Sequence, residues 1–201
     1  MKKLFFLLLV VMACGLPGHS QTNITHTLQN LEKAYQAEAN ATRRYEQFAA
    51  KATEEKQLQI AKLFRAISRS EAIHMKNHKA AIMKLGGKPG ALVYEQVQVK
   101  TTRENLKEPI EGEKQETEAS YPQFVKTARQ EKAPAAVTTF TYALNAEAQH
   151  EKLLEEALDH FGKNKKMDYY VSNVTGSTIA VIPGNAAPRP VQKGEKFIKV
   201  L

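Results

Sequence analysis

The sequence has one cysteine, Cys14, in 201 residues and no tryptophan. A lone thiol this close to the N-terminus builds neither an intrachain disulfide nor a thiolate metal knuckle. Aromatic residues are only 7% of the chain and do not alternate with Arg or Lys. The formal charge is +8, yet both signs are interspersed and no basic block stands out. Nucleic-acid binding is therefore not the expected function. The apolar run Leu4 to Leu16 is too short for an ordinary membrane span.

That run follows Met1-Lys2-Lys3 and precedes Pro17-Gly18-His19-Ser20, which predicts a bacterial secretory leader over 1–20, cut near Ser20. The mature chain would begin near Gln21 in the periplasm with a net charge of +6, since Lys2 and Lys3 are removed. A rival route is lipid attachment at Cys14, because Val11-Met12-Ala13-Cys14 resembles a lipobox. Loss of the leader also removes Cys14, unless that residue carries the anchor.

What is present is helical periodicity. Hydrophobic residues make up 42% of the chain, enough for one packed domain, expected over 21–162, with a small appendage over 163–201. Four helical runs are predicted. The first, about Thr25 to Ala52, carries Leu31, Tyr35, Glu38, Thr42 and Tyr45 at alternating four- and three-residue steps. The second, about Glu54 to Leu85, carries Ile60, Phe64, Ile67, Glu71, His74 and His78. Gly86-Gly87 and Pro89-Gly90 end it. Ala91 to Arg103 reads as a long crossover, of the kind that ferritin-like bundles contain. The third run, about Glu104 to Glu131, carries Glu113 and Glu116, with Pro122 as an expected kink. The fourth runs from Pro134 to a C-cap at Gly162 and carries Phe140, Glu147, His150 and Leu154. The tail is rich in Gly, Pro, Val and Ile, and three short strands are expected near 169–171, 178–181 and 197–200. The fold class is thus all-α, a four-helix bundle with one long crossover, plus a small β-rich C-terminal tail.

The chemistry lies where polar residues interrupt the apolar seams. Glu71-Ala-Ile-His74 and Glu147-Ala-Gln-His150 each place a carboxylate and an imidazole one above the other on a single helix face. Glu38 adds a carboxylate from the first helix, and Glu113 and Glu116 add two from the third. Ionised carboxylates on buried seams are costly unless paired or bound to metal. Di-iron carboxylate bundles use one Glu from each of two helices and Glu-x-x-His from each of the other two. Five carboxylates and two imidazoles suit iron or manganese, and the lack of thiolates disfavours soft ions. His78 lies on a seam but outside the pattern and reads as a packing residue or a support to the ligands. His26 and His160, at helix ends, read as solvated.

These motifs resemble the rubrerythrin family of ferritin-like di-iron peroxidases. The matching segments are Ala37-Glu38 through Tyr45, Ser70-Glu71-Ala72-Ile73-His74, Glu111 to Glu116 with Tyr121-Pro122-Gln123-Phe124, and Glu147-Ala148-Gln149-His150. The resemblance covers about Leu28 to Phe161. It implies two iron ions bridged by Glu71 and Glu147, with Glu38 on one iron and Glu113 and His150 on the other. It further implies that Glu116 and His74 exchange on the first iron as its oxidation state changes, and that Tyr45 and Tyr121 border the site. The substrate would be hydrogen peroxide or oxygen, the donor an external one, and the assembly a homodimer.

The tail departs from the family. Ser172, Thr175, Ile182 and Asn185 stand where a rubredoxin-like module would place four cysteines. None is a soft anionic ligand, so no rubredoxin iron is expected. The tail would then be a metal-free remnant, and its removal would leave about two metals in the bundle. Peroxide reduction is the leading expectation. A ferroxidase or iron-sequestering protein would use the same ligands, and a scaffold stabilised by its metal is the blander option.

Overall fold

The computed structural model describes residues 23–201. The expected leader, Cys14 and the cleavage position lie outside those residues. The bundle is made of two helical hairpins. The first pairs α1 (Thr25–Glu54) with α2 (Leu58–Lys84). In the second, α3 (Thr102–Gln115) runs through a π-helical segment (Glu116–Ser120) into α4 (Tyr121–Gln130), which turns into α5 (Pro134–Asp159). Among the described residues, no helix is long and apolar enough to cross a membrane.

The two hairpin turns share one chemistry. Lys56 and Lys132 both adopt positive φ, 60° and 55°, and so reverse the chain after α1 and after α4. The glutamate before each lysine reaches the other hairpin. Glu55 accepts a hydrogen bond from Thr102 N at 2.9 Å, at the start of α3. Glu131 accepts from Thr27 N at 2.8 Å, at the start of α1. Each carboxylate satisfies a helix-terminal N–H that has no partner inside its own helix and sits at the positive end of the dipole. Burial then fixes the faces: Leu31, Tyr45 and Phe48 of α1, Phe64 and Ile67 of α2, Leu106 of α3, and Phe140 and Leu154 of α5 are all within 1% of full burial.

The crossover between α2 and α3 lies along α1. Glu32, Gln36 and Asn40, one turn apart, bind the backbone of Gly90, Val93 and Glu95. Pro122 does not kink a plain α-helix, as its position suggested. It is the second residue of α4, one position beyond the residue that follows the π-helical segment's last, Ser120. Proline lacks an N–H and its ring crowds the carbonyl four residues earlier, and a wider turn relieves both.

In the tail, β1 (Asp168–Ser172) lies between β2 (Thr178–Val181) and β3 (Phe197–Lys199), antiparallel to both. Tyr169, Val171 and Val200 join the apolar cluster of Tyr45, Phe48 and Phe64, so the sheet packs on the bundle. A second cluster, around Leu31, Tyr35, Ile82 and Phe140, fills the other end. The polar seam positions lie between the two.

Candidate metal centre

Mid-helix positions on all four arms converge between these clusters. Glu38, Glu71, His74 and Glu147 form one group of possible ligands, and Glu71, Glu113, Glu147 and His150 form another. Within each group the ligand atoms lie within 4.8 Å of one another, and all six residues are buried. Glu71 and Glu147 belong to both groups. His74 Nδ1 is 3.0 Å from Glu71 Oε2 and 3.1 Å from Glu147 Oε1. His150 Nδ1 is 3.2 Å from Glu71 Oε1 and 2.7 Å from Glu147 Oε2. Of these two histidines Glu38 approaches His74, at 3.7 Å, and Glu113 approaches His150, at 3.8 Å; Glu38 also lies 3.7 Å from His78 Nε2.

The two tyrosines complete the symmetry. Tyr45 donates to Glu113 Oε1 and Tyr121 donates to Glu38 Oε1, each across the bundle. Glu116, the seventh predicted ligand, opens the π segment, is half-buried and belongs to neither group. It is close enough to respond to the centre: burial first, then the charges of Glu147, Glu113 and Glu71, push its carboxyl well up.

Charge in the metal-free protein is handled by protons. Burial would depress His74, but the Glu147 and Glu71 carboxylates outweigh it and hold the imidazole at about 9. The same contest, with Glu71 and Glu147 prevailing, raises His150. Burial would raise Glu71 and Glu147, and the Glu147 charge would raise Glu71 further, but the two imidazoliums prevail and hold both low. Glu38 and Glu113 lie at the margins, where burial and the Glu71 and Glu147 charges raise Glu38 well up and Glu113 to about 8. Two imidazoliums thus balance the two carboxylates shared by both groups.

This donor set fits two hard or borderline cations. Glu113 Oε2 and Glu147 Oε1 are buried without a hydrogen-bond partner, a costly condition that a cation would relieve. Both histidines turn Nδ1 inward, and the available donors are carboxylate oxygens and imidazole nitrogens, with no thiolate.

His78, whose position in the sequence allows either packing or support to the ligands, takes the supporting place. His78 Nε2 lies 3.2 Å from Tyr121 Oη, and its Nδ1 lies 3.0 Å from Thr139 Oγ1. Because Tyr121 spends its proton on Glu38, His78 donates through Nε2 and accepts from Thr139. Burial, then the nearby His74 charge, lowers His78 to about 3, so it stays neutral. The tail is the larger surprise. It was expected to be separable from the centre, yet His74 Nε2 is 3.1 Å from Thr175 O and His150 Nε2 is 3.1 Å from Thr178 Oγ1. The reason is packing: β1 lies on α2 and brings the turn after it over the imidazoles. Thr139 lies on the α5 seam, which marked it as inward-facing, but no local pattern marked the turn.

The comparisons with known proteins agree with this geometry. The family model described as rubrerythrin matches residues 29–158. The chain is similar to rubrerythrin-2 of Clostridium acetobutylicum, with 35% identity over 156 residues, 76% of this chain and 84% of that protein. It is similar to nigerythrin of Nitratidesulfovibrio vulgaris, with 35% identity over 136 residues, 65% of each. Among solved structures, a fully reduced, all-ferrous nigerythrin aligns with a TM-score of 0.74 and 26% identity over 98% of this chain and 100% of that one. A bacterioferritin from Rhodobacter capsulatus, at 19% identity and a TM-score of 0.63, shares the bundle fold over 69% of this chain and 86% of that one. The family model matched over residues 29–158, on a ferritin-like bundle with a buried cluster of carboxylates and imidazoles at its heart, places this chain in the rubrerythrin family.

Proposed function

We propose that this chain is an exported di-iron protein that reduces hydrogen peroxide to water in the cell envelope. The observation that carries the reading is the pair of four-residue groups joined through Glu71 and Glu147. Iron is the metal of choice for this donor set when electrons must be supplied. Iron held there in the ferrous state would supply the two electrons for this reduction, whose overall change consumes one peroxide and two protons and yields two waters. Glu71 and Glu147 would be shared by both metals, Glu38 would serve one, and Glu113 and His150 would serve the other. His74 and Glu116 would alternate on the first metal. The inward Nδ1 of His74 and the outlying Glu116 support that exchange.

The protein residues around the metals orient and insulate. Tyr121 and Tyr45 fix the outer carboxylates by donating to Glu38 and Glu113. The apolar clusters on either side exclude bulk water, which strengthens the electrostatic interactions between them. The reading includes a leader over 1–20, a bundle over 21–162, a degenerate rubredoxin-like tail over 163–201 that binds no iron, a homodimer and an external electron donor. The charged start and the apolar run support export, and intact-mass analysis of native protein should find a chain beginning near Gln21. A full-length chain would overturn export, and a lipid on Cys14 would replace a soluble form with an anchored one.

A ferroxidase or iron-sequestering role is favoured by one feature, the absence of thiolates from the tail. Anaerobic stopped-flow mixing of the di-ferrous protein with peroxide and with oxygen separates the two readings. Peroxide should react faster. Faster oxidation by oxygen, with iron retained as a mineral, would establish the ferroxidase.

A further inference from the structure

We infer that the tail turn from Ser172 to Thr178 is a positioning element for the metal centre. It presents both histidines to the metals through Nδ1. The inference rests on the metal-binding reading above and adds a task for the tail.

A histidine ligand is effective when its second ring nitrogen donates to a fixed acceptor, which sets the tautomer and the ring plane. In this bundle, both acceptors come from the tail. Thr175 offers a backbone carbonyl, which has no proton, so His74 Nε2 must donate to it. Thr178 offers a hydroxyl that donates its own proton to Gly176 O at 3.2 Å. Its oxygen is left to accept from His150 Nε2. Both imidazoles are thereby held with Nε2 protonated, and the lone pair of Nδ1 is available to a metal between Glu71 and Glu147.

The turn is built for this. Ser70 Oγ, one residue before the Glu-x-x-His step, donates to Gly176 O at 2.5 Å. Asn77 Nδ2 donates to Val174 O at 2.8 Å, and Gln149 Oε1 accepts from Thr178 N at 2.8 Å. Gly176 has φ +78°, and a Cβ there would lie 2.7 Å from His74 Cδ2 and 2.9 Å from Ser70 Oγ. Only glycine permits this approach. Inside the turn, the Ser172 hydroxyl accepts from Val174 N and Thr175 N at 3.3 and 3.1 Å and donates to the buried Glu195 carboxylate at 2.6 Å. A side-chain hydroxyl thus organises the loop at one of the positions where a thiolate would have gripped iron.

The test is Thr178→Val in the full chain, because it keeps the shape and removes the acceptor. Thr178→Ser restores the hydroxyl. Co(II) is the probe, titrated into metal-free protein against a chromophoric chelator, with its visible absorption recorded. Wild-type protein should bind two Co(II). Loss of an outer hydrogen-bond partner typically weakens metal binding about 10–100-fold. Thr178→Val should show that loss for one of the two ions with an altered Co(II) spectrum, and Thr178→Ser should return both toward wild type. Unchanged far-UV circular dichroism and thermal unfolding of the metal-free variant keep folding apart from positioning. Affinity and spectrum unchanged in Thr178→Val would overturn the inference. So would a loss that serine fails to rescue, since that marks simple packing. Wild-type protein that binds no Co(II) would remove the metal centre itself and the positioning role with it.

Discussion

The bundle and the tail differ in how they bury polarity. The bundle buries glutamates and histidines whose hydrogen-bonding capacity is not fully met: Glu113 Oε2 and Glu147 Oε1 have no hydrogen-bond partner, although His74 Nδ1 lies 3.1 Å from the latter. The tail satisfies its buried polar groups in closed pairs, such as Ser172 with Glu195 at 2.6 Å and Asp168 with the exposed Lys199 at 2.6 Å. One region is incomplete without cations, and the other is complete without them. A buried polar cluster with unmet capacity points to a ligand, whereas a satisfied one points to structure.

The comparison is broken most directly by removing a shared carboxylate. Glu71→Ala or Glu147→Ala takes a ligand from both groups, so metal analysis should find most of both ions lost. Glu38→Ala should keep at least one. Equal losses from all three would contradict the geometry. Next in size is the kinetic effect of Glu116→Ala. The variant should bind Fe(II) nearly normally and turn over peroxide slowly in stopped-flow oxidation, because only one oxidation state loses its ligand. Unchanged peroxide kinetics would exclude the exchange with His74.

A smaller effect is expected from the tail's own pairing. Ser172→Ala leaves Glu195 without its hydroxyl donor and should destabilise the turn by about 1–3 kcal/mol. Faster amide exchange at Val174 and Thr175 would report it, with two metals still bound at saturation. Loss of all metal from this variant would mean the two regions are one folding unit.

The pH response sharpens the contrast further. In the metal-free protein His74 sits at about 9, above its usual 6.5, and Glu113 at about 8, above 4.5. Both shifts mean that the folded state holds more protons than the unfolded one. The stability that these two groups contribute to the metal-free fold is therefore full at low pH and is lost as pH rises through about 8 for Glu113 and about 9 for His74, whereas Glu71 and Glu147, held low, lose theirs as pH falls. Metals displace these protons, so affinity should rise across the same window. Calorimetry of metal-free and loaded protein at pH 6 and 9 should show the loaded form gaining its greater advantage at pH 9. The smallest expected signal is in the tail, where added iron should produce no red thiolate-to-iron absorption.

Much of the bundle was legible because its seams are local. Glu38, Glu71, His74, Glu147 and His150 interrupt apolar stripes at regular helical steps, and burial follows from that periodicity. The strands were legible to within a residue or two from β-branched and aromatic runs. The turn over the histidines was not, because 101 positions separate His74 from Thr175 and no periodicity spans them. The π segment was hidden for a different reason. Hydrophobic periodicity does not record which carbonyl an N–H chooses, and Pro122 was the one local sign of a disturbance.

That segment has a consequence for the angular phase of the two hairpins. Thr27 and Glu38 recur as Thr102 and Glu113, 75 positions on, but Tyr45, Glu55, Glu71 and His74 recur as Tyr121, Glu131, Glu147 and His150, 76 positions on. The second hairpin holds one residue more, and it enters between Glu113 and Tyr121. At 3.6 residues per turn, the seven steps from Glu38 to Tyr45 end about 20° short of two turns, whereas eight steps overshoot by about 80°. The wider π turn absorbs the excess, so Tyr121 faces Glu38 just as Tyr45 faces Glu113. Glu116 begins that turn and has no counterpart in the first hairpin, where Asn40 and Ala41 stand. A near two-fold arrangement thus acquires its single unmatched carboxylate, and with it a distinction between its two metals, from one added residue.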